Sequence, residues 1–232
     1  SASLVGSEMC IRDSQHFEGE PQCSPLVLGE TNMTWEYEEK AWANGYDSVC
    51  GVDEAGRGPV AGPVCAAAVI LPAGIVIEGL NDSKKLSEKK REKLFDEITE
   101  NALAWSVSLV DERVIDEINI LQATYEAMRQ AIEKLNPQPA VLLNDAVRIP
   151  QVAIQQVPII KGDAKSVSIA AASIVAKVTR DRMMEQYEEV FPGYGFARNK
   201  GYGSKEHIEA LQTMGPTAIH RRSFIGHFVK EG

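Results

Sequence analysis

The run Val52-Asp53-Glu54-Ala55-Gly56 places two adjacent acids after an apolar, strand-like stretch and before a cluster of glycines. Neighbouring side chains on a regular strand leave by opposite faces. For both acids to serve one site the strand must end or bulge here, which Gly56 and Gly58 permit. Alone, the pair reads at least as well as a solvated acidic turn. Asp145 closely follows a short apolar run at 141–143, and Asp163 follows another at 157–160 and precedes a helical segment. Taken singly, Asp145 would start a turn and Asp163 would cap a helix. Together, three strand ends each deliver acid, and open α/β sheets bind ligands beyond their strand ends.

If the four acids converge, two unit charges ~4 Å apart repel by about 4 kcal/mol at an effective dielectric near 20. Such a cluster requires cations at its centre or bound protons. Oxygen-only donors select hard ions, Mg²⁺ or Mn²⁺. A pair of these suits phosphodiester hydrolysis, one activating water and the other stabilising the leaving oxygen. No histidine lies near these strand ends in sequence, so no Ser-His-Asp or Cys-His arrangement competes.

Other stretches offer groups to a polyanion. Gly56-Arg57-Gly58 is neither a Walker loop nor a GxGxxG turn. Two glycines nevertheless let backbone approach a ligand, and Arg57 can hold a phosphate through two parallel hydrogen bonds; the bland alternative is a hairpin turn with a solvated arginine. Asn81-Asp-Ser-Lys-Lys-Leu86 supplies Ser83, Lys84 and Lys85, or is a solvated loop before a helix. Tyr202, within Lys200-Gly-Tyr-Gly-Ser204, can stack on a base or sugar, or fold onto the core. His220-Arg-Arg-Ser223 offers Arg221 and Arg222 to phosphates, or solvates a helix end.

The elements that must position these groups follow from the pattern. Residues 34–44 read as a short helix with Thr34 as N-cap and Gly45 as stop. Strands are expected at 48–53 and 62–71, pairing antiparallel, and at 103–110. A helix at 87–101 has Ser87 as N-cap, and another at 120–135 carries Leu121, Tyr125, Met128 and Ile132 at helical spacing. The runs at 140–143 and 157–160 read as strands buried on both faces. A long helix at 166–190 contains IAAASIVAKV, whose small residues suit close packing on the sheet. A Gly- and aromatic-rich loop at 192–203, a helix at 205–214 and a basic end follow. The expected class is α/β, a five-stranded mixed sheet flanked by helices, in one domain.

Composition agrees with a soluble globular chain: 44% hydrophobic and 25% charged over 232 residues, with no apolar run of spanning length. The net charge of −9 argues against nucleic acid, but its placement does not. Residues 1–47 hold nine acids and two bases, whereas 198–230 hold six bases against Glu206 and Glu209. Residues 1–33 show no sustained period, are expected to be disordered, and resemble translated adapter sequence in SASLVGSEMCIRDS; Met33 then stands as a plausible start. Of four cysteines, Cys50 and Cys65 sit in apolar runs and are expected to be buried thiols. No pair has metal or disulfide spacing, and no secretory signal is legible. The reducing cytoplasm is the default compartment.

The stretches GVDEAGRGPVAGPV, LNDSKKLS, the strand-end Asp145, IIKGDAKSVSIAAASIVAKVTRD, YGFARNKGYGSKEH and HRRSF, in that order over about residues 46–224, resemble bacterial type 2 ribonuclease H, ribonuclease HII. The resemblance implies a ribonuclease H-like fold with a C-terminal helical part from about 204 onward. It implies Mn²⁺- or Mg²⁺-dependent cutting of RNA in RNA–DNA hybrids, leaving 3′-hydroxyl and 5′-phosphate ends. Asp53, Glu54, Asp145 and Asp163 match the metal-binding acids, and Gly56, Arg57 and Gly58 the loop that senses the 2′-hydroxyl at an RNA–DNA junction. Tyr202 matches the tyrosine that stacks on the deoxyribose beyond it. Incision at single ribonucleotides in duplex DNA, in repair and in primer removal, would follow. Type 3 enzymes differ in carrying lysine at Arg57 and a larger N-terminal domain. The tail after Phe224 shows no convincing sliding-clamp motif, and a monomer with no membrane partner is expected. Rival readings are another nuclease of the fold, such as a resolvase or integrase, a hybrid-binding module with a decayed site, and a structural protein whose acids cap turns.

Overall fold

The computed structural model describes residues 33–229. The expectations for residues 1–33, Met33 apart, and for Cys10, Cys23 and Lys230 lie outside the described residues. The elements are α1 (Glu36–Ala43), β1 (Val49–Ala55), β2 (Val64–Ile70), α2 (Glu88–Asn101), β3 (Ala104–Val110), α3 (Glu112–Ile118), α4 (Ile120–Glu133), β4 (Val141–Asp145), β5 (Gln155–Ile159), α5 (Val167–Val190), α6 (Phe196–Asn199), α7 (Lys205–Met214) and α8 (Arg222–Ile225). Two 3₁₀ turns, Ser83–Lys85 and Gly162–Ala164, lie beside the strand ends.

The sheet has five strands in the order β3-β2-β1-β4-β5 and is mixed, as expected. β1 pairs antiparallel with β2 and parallel with β4, and β4 runs parallel to β5. Helices cover both faces. On one, Cys50, Val52, Ala66 and Ala68 meet Ala127, Met128, Ala131 and Ile132 of α4. On the other, Cys65, Ala67 and Val69 meet Ala171, Ala172 and Val175 of α5, with α2 outside them. The small residues of β2 and α5 let backbones approach closely. The limit is Gly51, where a Cβ would stand 2.1 Å from the Ser168 carbonyl group. Any side chain there would push α5 off β1. Cys50 and Cys65 are buried free thiols, and burial pushes each up to about 12.

Caps behave largely as their residue types dictate. Ser87, Ser166 and Ser204 each accept from a backbone N–H in the first turn of the helix that follows. Thr34 does not. Its backbone bridges to Ser166 and donates to the Lys165 carbonyl at 3.0 Å, so the first helix starts two residues later than expected. Fully buried Glu38 of α1 accepts from the Ser166 hydroxyl at 2.6 Å and from the Ser168 N–H at 2.9 Å, tying α1 to the start of α5.

Three further expectations need correction. β5 is an edge strand with Gln155 and Pro158 exposed, not a strand buried on both faces; proline's missing N–H suits an edge. The segment 112–118, given no element from sequence, is the short helix α3, capped by the Asp111 carboxylate. The loop at 192–203 contains the helical turn α6. Helices α6, α7 and α8 supply the C-terminal helical part. It packs on the main body through Ala61, Met184, Tyr194, Phe196 and Ile219.

Candidate active site

The β1–β2 register runs unbroken from Cys50↔Ile70 to Ala55↔Cys65. The strand therefore neither ends nor bulges at the acids. Asp53 shares the α5 side of the sheet with Gly51, and Glu54 leaves by the other side. Both reach one site because the rim of a sheet is open to side chains from either face. β1 and β4 are in parallel register with Val52 opposite Asn144, so Asp53 and Asp145 stand side by side with the same orientation. Asp145 is the last residue of β4 rather than the first after it. Asp163 lies in the 3₁₀ turn beyond β5, buried. The parallel β1-β4-β5 ladder thus carries all four acids to one end of the sheet.

Their electrostatics are unfavourable in the way the residue types dictate. Burial pushes Asp53 well above the usual carboxylate range, and neighbouring Glu54 and Asp145 push it further; hydrogen bonds from Ser173 and from the Glu54 N–H (2.8 Å) oppose this. Burial raises Glu54, against the pull of the Arg57 guanidinium, and Asp145 adds to the rise. Burial also raises Asp145, opposed by the Gly162 N–H, which donates to its Oδ1 at 2.7 Å, and reinforced by Asp163. Lys84 Nζ stands 3.4 Å from Asp163 Oδ2, and Arg57 stands 3.4 Å from Glu54 Oε1. Among the described residues no three acid, histidine or cysteine side chains stand as a ready-made metal cage. The expected cage is in fact four neighbouring carboxylates, each turned onto a protein donor.

Beside the acids lies a cleft of about 190 Å³ lined by Glu54, Ala55, Gly56, Arg57, Gly58, Ser83, Lys84, Ser173, Lys177 and Tyr202. Gly56 has φ +94°, and a Cβ there would meet Arg180 Nε at 2.1 Å, so only glycine fits. A Cβ on Gly58 would lie 3.6 Å from the Tyr202 ring, which stands half exposed against the loop. Tyr202 is thus a cleft wall rather than a core aromatic. Its backbone is held from below. Thr217 N–H donates to His220 Nδ1 at 2.9 Å, which leaves the proton on His220 Nε2 to donate to His207 Nε2 at 3.0 Å. His207 Nδ1–H then donates to the Tyr202 carbonyl at 2.8 Å. Burial holds this pair neutral, with His220 pushed down to about 4.

Of the expected basic contacts, Lys84 is exposed and reaches the cleft. Ser83 is buried, its hydroxyl 2.9 Å from that of Ser173. Lys85 and Arg222 are exposed but do not line the cleft. Arg221 must be corrected. It is fully buried and its guanidinium is taken up by backbone carbonyls, so it cannot lie on a phosphate. His220, in the same run, is likewise buried. Sequence reasoning missed Ser173 and Lys177, which line the cleft, and Arg180, which lies beneath it. Their i, i+4, i+7 spacing on one face of α5 was the available signal.

The family model described as ribonuclease HII matches residues 50–227. The chain is 67% identical over 180 residues to the ribonuclease HII of Lachnoclostridium phytofermentans, covering 78% of this chain and 71% of that protein. It is 56% identical over 194 residues to that of Ruminiclostridium cellulolyticum, covering 84% and 76%. Among solved structures, the ribonuclease H2 of Pyrococcus horikoshii superposes with a TM-score of 0.64 at 31% identity, over 76% of this chain and 93% of that one. By the matched family model, by its relatives and by its fold, the chain belongs to the ribonuclease HII family and is a hydrolase, a ribonuclease H.

Proposed function

We propose that the chain cuts the RNA strand of RNA–DNA hybrids and incises 5′ of single ribonucleotides embedded in duplex DNA, leaving 3′-hydroxyl and 5′-phosphate ends. Ribonucleotide excision repair and RNA primer removal are the processes that need this chemistry. The observation that carries the reading is the meeting of four carboxylates with a cleft lined by cations, hydroxyls and an exposed tyrosine face.

The donor set fits a pair of hard divalent ions, Mg²⁺ or Mn²⁺. All four groups are oxygen donors, and burial and mutual repulsion raise three of them, a burden that cations at their centre would lift. Such ions, when bound, activate water for in-line attack and stabilise the leaving oxygen. Asp53 and Asp145 would hold them most directly, with Glu54 and Asp163 completing the set. The carboxylates now face protein donors, so substrate phosphate oxygens are expected to share in the binding. Lys84, whose Nζ stands 3.4 Å from the Asp163 carboxylate, would neutralise charge on that side, and Arg57 would meet a phosphate. The 2′-hydroxyl separates RNA from DNA at a given nucleotide, and the loop 56–58 is the part of the cleft able to read it. Tyr202 offers its face to the neighbouring deoxyribose.

The test is a duplex containing one ribonucleotide, incubated with Mg²⁺, with Mn²⁺ and with chelator, and the cut position mapped. Metal-dependent incision on the 5′ side is expected, and Asp145→Asn should abolish it with the fold intact. A wild-type enzyme that leaves this duplex whole while cutting a four-way DNA junction would overturn the reading, and near-normal turnover by Asp145→Asn would remove that residue from the site.

A further inference from the structure

Beneath the cleft lie two buried guanidinium groups that the chemistry above does not use. Arg221 donates from Nε to the Gly62 carbonyl at 2.9 Å, from one terminal nitrogen to Arg57 at 3.1 Å and Pro59 at 2.8 Å, and from the other to Gly56 at 2.6 Å. Arg180 donates to Pro63 at 2.9 Å, Ala61 at 3.1 Å and Lys200 at 2.8 Å. Each is about 1% exposed or less. Among the described residues neither has a carboxylate within 4.0 Å, since adjacent Asp181 is engaged by Lys177 and Arg91. Burying two cations on carbonyl dipoles alone is costly. An apolar plug would avoid that cost but would strand the five carbonyls whose contacts are buried, those of Gly56, Pro59, Ala61, Gly62 and Pro63.

The arrangement has a geometric consequence. Across a planar trans peptide, the C=O of one residue and the N–H of the next point opposite ways. With the Gly56 and Arg57 carbonyls drawn inward onto Arg221, the N–H groups of Arg57 and Gly58 are turned outward. Both residues line the cleft, and among the described residues neither N–H has a protein acceptor. Two positive charges directly beneath them also favour an electron-rich ligand above.

We infer that Arg221 and Arg180 are positioning residues for ribose discrimination: by holding the loop 56–63 through its carbonyls, they aim the Arg57 and Gly58 amides at the substrate sugar. The inference rests on the proposed reading that this loop senses the 2′-hydroxyl. Lysine keeps the charge, but its single nitrogen cannot span the four carbonyls that Arg221 holds or the three that Arg180 holds from separate nitrogens.

The experiment compares wild type, Arg221→Lys and Arg180→Lys. It measures Kd in Ca²⁺ for a duplex with one ribonucleotide and for the same duplex in all-DNA form, and single-turnover cleavage of the former in Mg²⁺. Far-UV circular dichroism and thermal melts monitor folding. Wild type should prefer the ribonucleotide duplex. In the lysine variants that preference should fall towards one while all-DNA affinity stays within about twofold, and cleavage should slow about tenfold, the loss of roughly one well-made hydrogen bond. An unchanged preference in both folded variants would overturn the inference alone. Unfolding of both would overturn it too, since the arginines would then serve the fold as a whole. Absence of preference in wild type would remove the underlying reading and the inference with it.

Discussion

Asp53 is 4% exposed and faces like charge from Glu54 and Asp145, so the metal-free enzyme carries strain that Asp53→Asn should relieve. Its folded pKa lies well above its unfolded value because burial and the two neighbours disfavour the carboxylate. By linkage, the stability tied to the protonated form is fully present below the unfolded pKa and is lost as pH rises through the raised folded one. As pH rises through that folded value the wild-type chain loses it, and an asparagine does not. A like charge ~4 Å away costs about 4 kcal/mol at an effective dielectric near 20, and the carboxyl can escape part of this by keeping its proton. Hydrogen bonds from Ser173 and the Glu54 N–H offset more, and both survive on an amide oxygen. A net gain of roughly 1–3 kcal/mol remains, which for a chain of this size raises Tm by roughly 2–10 °C. The assay is a set of thermal melts of both proteins in chelator from pH 5 to 8, repeated with Mg²⁺ or Mn²⁺. The stability gap should widen with pH in chelator. Divalent metal should stabilise wild type more than the variant, and the variant should not cut. A variant less stable than wild type at pH 8 in chelator, or a gap indifferent to pH, would refute the account of the site as strained by its own charge.

Tyr202→Phe should keep the stacking face and most activity, whereas Tyr202→Ala should lose roughly 1–3 kcal/mol of stacking, about five- to 150-fold in kcat/KM; equal rates for the two variants would refute stacking. Gly51→Ala should cost roughly 1–3 kcal/mol by forcing β1 and α5 apart, seen as a lower Tm without altered cleavage at low temperature. An unchanged melt would show that the two backbones do not need their close approach.

Much of this was legible in the residues. The strands around 49–55, 64–70 and 104–110, the helix at 120–133 and the long α5 are periodic and locally capped, so propensity and packing agree on them. The chemistry of the acids was legible as residue type: oxygen donors after apolar runs in an α/β pattern. Short elements without strong periodicity, α3 and α6, were not legible, and neither was the edge position of β5, because neighbours in a sheet are chosen by the whole topology. The primary structure by itself determined which groups could do chemistry and that they follow strands. Only the tertiary structure decided that an unbulged β1 brings Asp53 and Glu54 to one rim from opposite faces, and that each carboxylate rests on a protein donor. It also decided that Arg221, which reads as a phosphate contact, is buried under the loop. The physical reason is that sequence shows a charge but not what surrounds it, and burial, partners and direction are set by contacts between segments more than a hundred residues apart.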